Sequence, residues 1–163
     1  MKILNTNQIR QKIKRLAIEI LEKNTDAKEI ILAGINNKGF EFAEYIKKEM
    51  SQFSAITVTL TRIKLNPAAP LTQEVIIEMP LSQLDKKTII VVDDVANTGR
   101  TLFYAMKPIL GILPKKLEVA VLVDRMHKSF PIQVDYVGLS LSTTMEENIE
   151  VELTNNEWVV ELS

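Results

Sequence analysis

The segment Ile89–Thr101, IIVVDDVANTGRT, constrains the fold more than any other part of the chain. Ile89, Ile90, Val91 and Val92 are apolar and β-branched without alternation, the pattern of a strand covered on both faces of a parallel sheet. Asp93 and Asp94 follow at the carboxyl end of that strand, where open α/β sheets bind ligands. Asn97, Thr98, Gly99, Arg100 and Thr101 then supply backbone amides, hydroxyls and a cation just ahead of a helical pattern. Amides at a helix start favour a phosphate, and carboxylates accept strong hydrogen bonds from vicinal hydroxyls. The segment reads as a cradle for a ligand carrying both a ribose and a phosphate.

The rest of the chain alternates helical and strand patterns. Ile9, Ile13, Leu16, Ala17, Ile20 and Leu21 recur at helical spacing, with Thr6 as the expected N-cap and Asn24 as the stop. Residues 30–33 read as a short buried strand and 34–39 as a turn. Phe42, Ala43, Ile46 and Met50 restart a helical stripe. Residues 56–63 alternate threonine with aliphatic residues, as in a strand with one more polar face. A loop is expected over 66–73 and a short strand or hairpin arm over 75–78. The helix predicted for 101–110 contains Pro108, which should kink or end it. Strands are expected at 117–123, closed by Asp124 and Arg125, and at 134–139, 149–153 and 158–162. This order implies one domain over 1–163, with a twisted, mainly parallel sheet and helices on both faces.

Composition excludes several functions. Among 163 residues there is no cysteine and one histidine, His127, so thiolate chemistry and multi-histidine metal centres are ruled out. Twenty Lys and Arg face twenty-one Asp and Glu, so net charge gives no general attraction to nucleic acid. No apolar run approaches a membrane span and the start is unlike a signal peptide; the expected location is cytoplasmic. His127 reads as a loop or interface residue rather than a catalytic one. Trp158, Tyr136 and Phe103 are expected in the core or an interface, and Met106, Met126 and Met145 in packing. The loop is not a Walker A loop, which needs GxxxxGK[ST]. Nor is it a Rossmann fingerprint, whose acid follows its glycines by about twenty residues.

At these residues the chain resembles the type I phosphoribosyltransferases, whose motif for phosphoribosyl pyrophosphate (PRPP) has this form. LAGINNKGFEFAEYIKKEM, VAVLVDRMHKSFP and VDYVG are similar to the pyrimidine operon attenuator proteins that double as uracil phosphoribosyltransferases. The resemblance spans nearly the whole chain outside roughly residues 63–80. It implies the family's α/β fold with a flexible hood, about residues 55–80. It also implies transfer of the phosphoribosyl group of PRPP to a nucleobase, with uracil as the expected acceptor and UMP and pyrophosphate as products. By the same resemblance, Asp93 and Asp94 hold the ribose hydroxyls and act in catalysis, and Asn97, Thr98, Gly99, Arg100 and Thr101 wrap the 5-phosphate. Asn36, Asn37, Lys38, Gly39 and Arg62 serve the pyrophosphate, and Val137 and Gly138 lie at the nucleobase end. Mg²⁺ is implied as a cofactor held mainly through PRPP, and a homodimer or dimer of dimers as the assembly.

The chain departs from its relatives around that motif. Asn37-Lys38-Gly39 stands where they usually read Thr-Arg-Gly; lysine keeps the charge and loses the bidentate fork. Ile63 and Lys64 occupy positions usually acidic, the hood is shorter and more apolar, and Leu139 replaces a frequent lysine. Attenuator proteins also bind messenger RNA through basic surface residues. The first helix carries Arg10, Lys12, Lys14 and Arg15, for which a solvated face is the favoured reading. A second reading is therefore a nucleotide-sensing, RNA-binding regulator without catalysis. A third is an unrelated phosphate-binding domain using Asp93 and Asp94 for a metal.

Overall fold

A computed structural model describes residues 1–144 and 146–163; Met145, expected in packing, lies outside the described residues. The elements are β1 (Lys2–Leu4), α1 (Thr6–Lys23), β2 (Glu29–Ile35), α2 (Asn36–Met50), β3 (Thr57–Lys64), β4 (Ile76–Ile77) and α3 (Leu81–Leu84). They continue with β5 (Thr88–Ala96), α4 (Arg100–Ala105), a 3-10 turn (Lys107–Gly111), β6 (Lys116–Arg125), β7 (Tyr136–Leu141), β8 (Ile149–Thr154) and β9 (Glu157–Leu162).

Six strands form the main sheet in the order β4-β3-β2-β5-β6-β7, parallel throughout except for the short edge strand β4. The opening motif explains why β5 is central. Ile90 and Val92 pack beneath α1 and α2, whereas Ile89 and Val91 belong to the opposite core with Leu84, Leu102 and Ile109. All four are fully buried. Burying each contributes roughly 1.5–3 kcal/mol, which only a strand covered on both faces collects at every position. Both faces of the sheet carry helices, as expected, although α3 and α4 are short.

Three details differ from the sequence reading. Thr6 does not cap α1: Asn5 does, its side chain accepting from Gln8 N while Gln8 accepts from Asn5 N. That reciprocal pair satisfies two of the helix's free donors. Thr6 instead ties α1 to β9, its hydroxyl accepting from Trp158 N and donating to Trp158 O. No separate turn spans 34–39, because β2 runs to Ile35 and α2 begins at Asn36. The helix predicted for 101–110 ends at Ala105 and continues as the 3-10 turn, since Pro108 lacks the N–H that an α-helix would need.

The last two strands also leave the main sheet. With β1, which the sequence reading missed along with α3, they form an antiparallel sheet in the order β1-β9-β8. Val151, Leu153, Trp158 and Val160 face the core and alternate with exposed Glu150, Glu152, Glu157 and Glu161. Such alternation belongs to an antiparallel sheet with one wet face. Asn155 and Asn156 close the hairpin at φ 51° and 62°, both positions that a tight two-residue turn requires to be left-handed. Among the described residues no helix is long and apolar enough to cross a membrane.

Candidate active site

The carboxyl ends of the parallel strands gather most of the sequence-predicted site. Asp93 is only 8% exposed and Asp94 half-buried. Asp93 Oδ1 accepts from Asp94 N at 2.9 Å, and Asp94 Oδ1 accepts from Val95 N at 2.9 Å. These local bonds point both carboxylates along the strand end and hold them side by side. Burial, reinforced by the neighbouring Asp94 charge, pushes the Asp93 carboxyl well above the usual carboxylate range; Lys38 opposes this weakly. The pair is a concentrated, incompletely compensated negative charge, suited to accepting hydrogen bonds from hydroxyls or to sharing a cation.

Residues 97–101 curl directly beyond them. Gly99 sits at φ 89° as the residue preceding α4, a left-handed position that a side chain strains. A Cβ there would also crowd Ile132 and Lys128. The carbonyls of the curl are held from outside: Thr98 O accepts from Ser129 N and Phe130 N, and Asn97 O from Lys128 Nζ. Lys128 is itself held by the Asp124 carboxylate and the Arg125 carbonyl, while Arg125 Nη1 donates to Asn97 Oδ1 at 3.3 Å. So braced, Val95 to Leu102 enclose a cavity of about 30 Å³. The Arg100 guanidinium leaves the curl and donates to Pro67 O at 2.7 Å, joining it to the loop after β3.

The start of α2 is pressed against the same strand end. A Cβ on Gly39 would lie 2.6 Å from Val92 O, so only glycine lets the helix start approach Asp93 this closely. Asn36 is held at φ 51°, and its side chain accepts from Leu65 N at 3.1 Å. Lys38 Nζ donates to Val151 O at 3.2 Å and lies 3.6 Å from Glu152 Oε1. Lys38, Glu41, Asp94, Val151, Glu152 and Leu153 border one cavity of about 20 Å³. Burial, with Glu44 and Glu152 nearby, pushes the Glu41 carboxyl up.

The remaining predicted residues sit apart from the carboxylates. The Arg62 guanidinium stacks 4.2 Å from the Phe40 ring centre and lies 3.9 Å from Glu78 Oε1, which Lys64 also reaches at 3.1 Å. Asn37 and Arg62 border an open groove of about 740 Å³ between α2 and β3. Val137 and Gly138 lie in β7, two strands from β5, with Gly138 against the Leu122 backbone. His127 is exposed in the loop after β6. Tyr136 and Trp158 are core residues, whereas Phe103 is 41% exposed and clusters with Tyr104 and Phe130.

The sequence reading missed Arg125 and Lys128 as braces of the curl, and Glu41 and Glu152 beside Lys38. Asp124 and Arg125 had a usable signal, being charged residues closing an apolar strand; Ala96 and Asp124 are paired in register. Glu152 had none, because an exposed glutamate alternating along a strand is ordinary.

The family model described as a phosphoribosyl transferase domain matches residues 2–155. The chain belongs to the phosphoribosyltransferase family. Its curated relatives include a protein of Deinococcus radiodurans named "Bifunctional protein PyrR", 34% identical over 98% of this chain and 92% of its own length. A protein of the same name from Bacillus pumilus is 34% identical over 93% of this chain and 89% of its own length. Among solved structures, the hypoxanthine phosphoribosyltransferase of Trypanosoma cruzi aligns with a TM-score of 0.78 at 19% identity, covering 98% of this chain and 94% of that one. A hypoxanthine-guanine phosphoribosyltransferase of Bacillus anthracis aligns with a TM-score of 0.72 at 22% identity, covering 91% and 84%. At such identities the solved structures establish the shared phosphoribosyltransferase fold.

Proposed function

We propose that this phosphoribosyltransferase-family chain moves the phosphoribosyl group of PRPP onto a nucleobase, with uracil as the acceptor and UMP and pyrophosphate as products. One observation carries the reading: the Asp93–Asp94 pair, with Asp93 buried, stands directly ahead of the braced curl at Asn97–Thr101. A ribose 5-phosphate spans those two features, its hydroxyls on the carboxylates and its phosphate on the curl's amides. The anomeric carbon would then lie near a fixed negative charge, which stabilises the oxocarbenium-like transition state as the carbon–oxygen bond to pyrophosphate lengthens. A base nitrogen completes the substitution. The choice of uracil rests on the similarity of residues 119–131 and 134–138 to pyrimidine-specific relatives, and on Asn97, where some purine enzymes carry an acid.

The donor set also suits Mg²⁺. Two adjacent carboxylates at a strand end, one of them buried with little compensation, are hard oxygen ligands. Asp93 and Asp94 would hold the ion together with substrate oxygens, and it would supply charge neutralisation to the leaving group. The assembly we assign is a homodimer or a dimer of dimers.

A second reading is favoured by one observation: Lys38 and Arg62, the cations assigned to pyrophosphate, lie beside the protein's own carboxylates, Glu152 and Glu78. A nucleotide-responsive regulator that binds RNA has no need to release pyrophosphate. The two readings separate in one assay, PRPP and Mg²⁺ with a panel of pyrimidines and purines, read as pyrophosphate release. Turnover with uracil is expected. Failure of every base, together with RNA binding that responds to UMP, selects the regulator.

A further inference from the structure

We propose that Glu152, on β8, is a positioning residue that sets the affinity of the site for pyrophosphate by competing for Lys38. The proposal rests on the phosphoribosyltransferase reading above and goes beyond it. It gives a role to a strand that lies outside the main sheet.

The backbone on either side of Lys38 is closely held. Gly39, the next residue, is packed against Val92 O so closely that no Cβ would fit, and Asn36 is bonded to Leu65 N. The lysine stem has several rotatable bonds, so its ammonium can exchange one partner for another. In the structure both partners come from β8: the Val151 carbonyl at 3.2 Å and the Glu152 carboxylate at 3.6 Å. β8 is the outer strand of its three-stranded sheet. Two side chains of α2 bond its carbonyls, Lys38 on Val151 and Tyr45 on Leu153 at 3.3 Å.

The competition is between unequal rivals. Lys38 and Glu152 have side chains 58% and 54% exposed, and a pair so wet is weak enough to exchange. Pyrophosphate carries several charges and a fixed array of acceptors, so it can draw the ammonium away. Glu152 opposes it twice. Its carboxylate holds Lys38 in the parked position, and its charge borders the same small cavity as Asp94, where it repels an incoming anion. An arginine at position 38 could serve both partners through its fork; a lysine offers a compact point charge.

The test uses the full-length protein and inorganic pyrophosphate with Mg²⁺, measured by titration calorimetry. Glu152→Gln is nearly isosteric at an exposed position, and its melting temperature checks that the fold is kept. It should tighten pyrophosphate about two- to fivefold, the range of an exposed ion pair, and lower the KM for PRPP by a similar factor without raising kcat. The gain should shrink as salt is raised, because the competing pair is solvated. In a Lys38→Ala background, Glu152→Gln should change binding much less. Unchanged or weaker binding by Glu152→Gln overturns the proposal, as does an equal gain with Lys38 absent, which would reduce Glu152 to a diffuse repulsive charge. Failure of wild type and all variants to bind pyrophosphate or PRPP overturns the phosphoribosyltransferase reading as well, a result distinct from binding that ignores Glu152.

Discussion

The two ends of the main sheet handle buried polar groups in opposite ways. At the amino end, the Tyr136 hydroxyl donates to Glu118 at 2.8 Å and accepts from Asn24 Nδ2 at 3.1 Å. Asn24 Oδ1 accepts from Lys116 Nζ at 2.9 Å, and Lys116 lies 3.4 Å from Glu118. Every member has a partner, and the ring closes on the end of α1 through Asn24 Nδ2 and Ile20 O. Burial and the Glu118 carboxylate push the Tyr136 phenol upward, so it remains a donor throughout the working pH range. At the carboxyl end, Asp93 is just as buried but has a second carboxylate for a neighbour. Lys38, whose charge acts on it weakly, is turned to β8. A satisfied network stabilises a fold, whereas a buried charge beside a like charge is held in place by the rest of the structure and becomes favourable when a ligand arrives.

That contrast can be broken most forcefully at Asp93. Asp93→Asn should lower turnover about 10²- to 10³-fold, the scale of losing one preorganised electrostatic contact. The same variant should be more stable than wild type at neutral pH, with a melting temperature higher by roughly 2–4 °C per kcal/mol of repulsion removed. The sign follows from linkage. A carboxyl raised in the folded state binds its proton more tightly there than in the unfolded chain. Its contribution is therefore most favourable at low pH and is lost as pH rises through the interval above the ordinary carboxylate value. Wild type should show that downward slope in thermal melts and Asp93→Asn should lack it. A destabilised Asp93→Asn would mean that the charge at the site end is as well compensated as at the other.

At the opposite end, Tyr136→Phe should cost about 1–3 kcal/mol, because the Glu118 carboxylate loses a buried donor. PRPP affinity, measured calorimetrically, should not change, since the network lies at the far end of β6. The smallest effect is expected at Arg100. Arg100→Ala removes the bond to Pro67 O and should speed proteolysis within residues 66–73. It should also raise the KM for PRPP about three- to tenfold, the value of a hydrogen bond from a charged donor in a partly wet setting. Faster cleavage with unchanged KM would confine Arg100 to tethering the loop.

Much of the architecture was legible because its signals are local. Four unbroken β-branched residues demand a doubly covered strand, and a following acid pair and small-residue loop can only lie at that strand's carboxyl end. Pro108 marked a real break. Other features were illegible because they depend on partners far along the chain. Thr6 looks like a cap until Trp158, distant in sequence, claims its hydroxyl. The C-terminal strands carry no sign of which sheet they join beyond an alternation that fits any half-exposed edge.

The sequence by itself determined the layer class, the central strand, the acid pair and the small-residue curl after it, since each follows from backbone preference and burial within a short stretch of chain. Only the tertiary structure decided where the cations point. Lys38 turns to β8, Arg62 to Phe40 and Glu78, and Arg100 to Pro67. A long charged side chain has many rotamers of similar energy, and the partner that selects among them is brought near by the fold rather than by its neighbours in sequence.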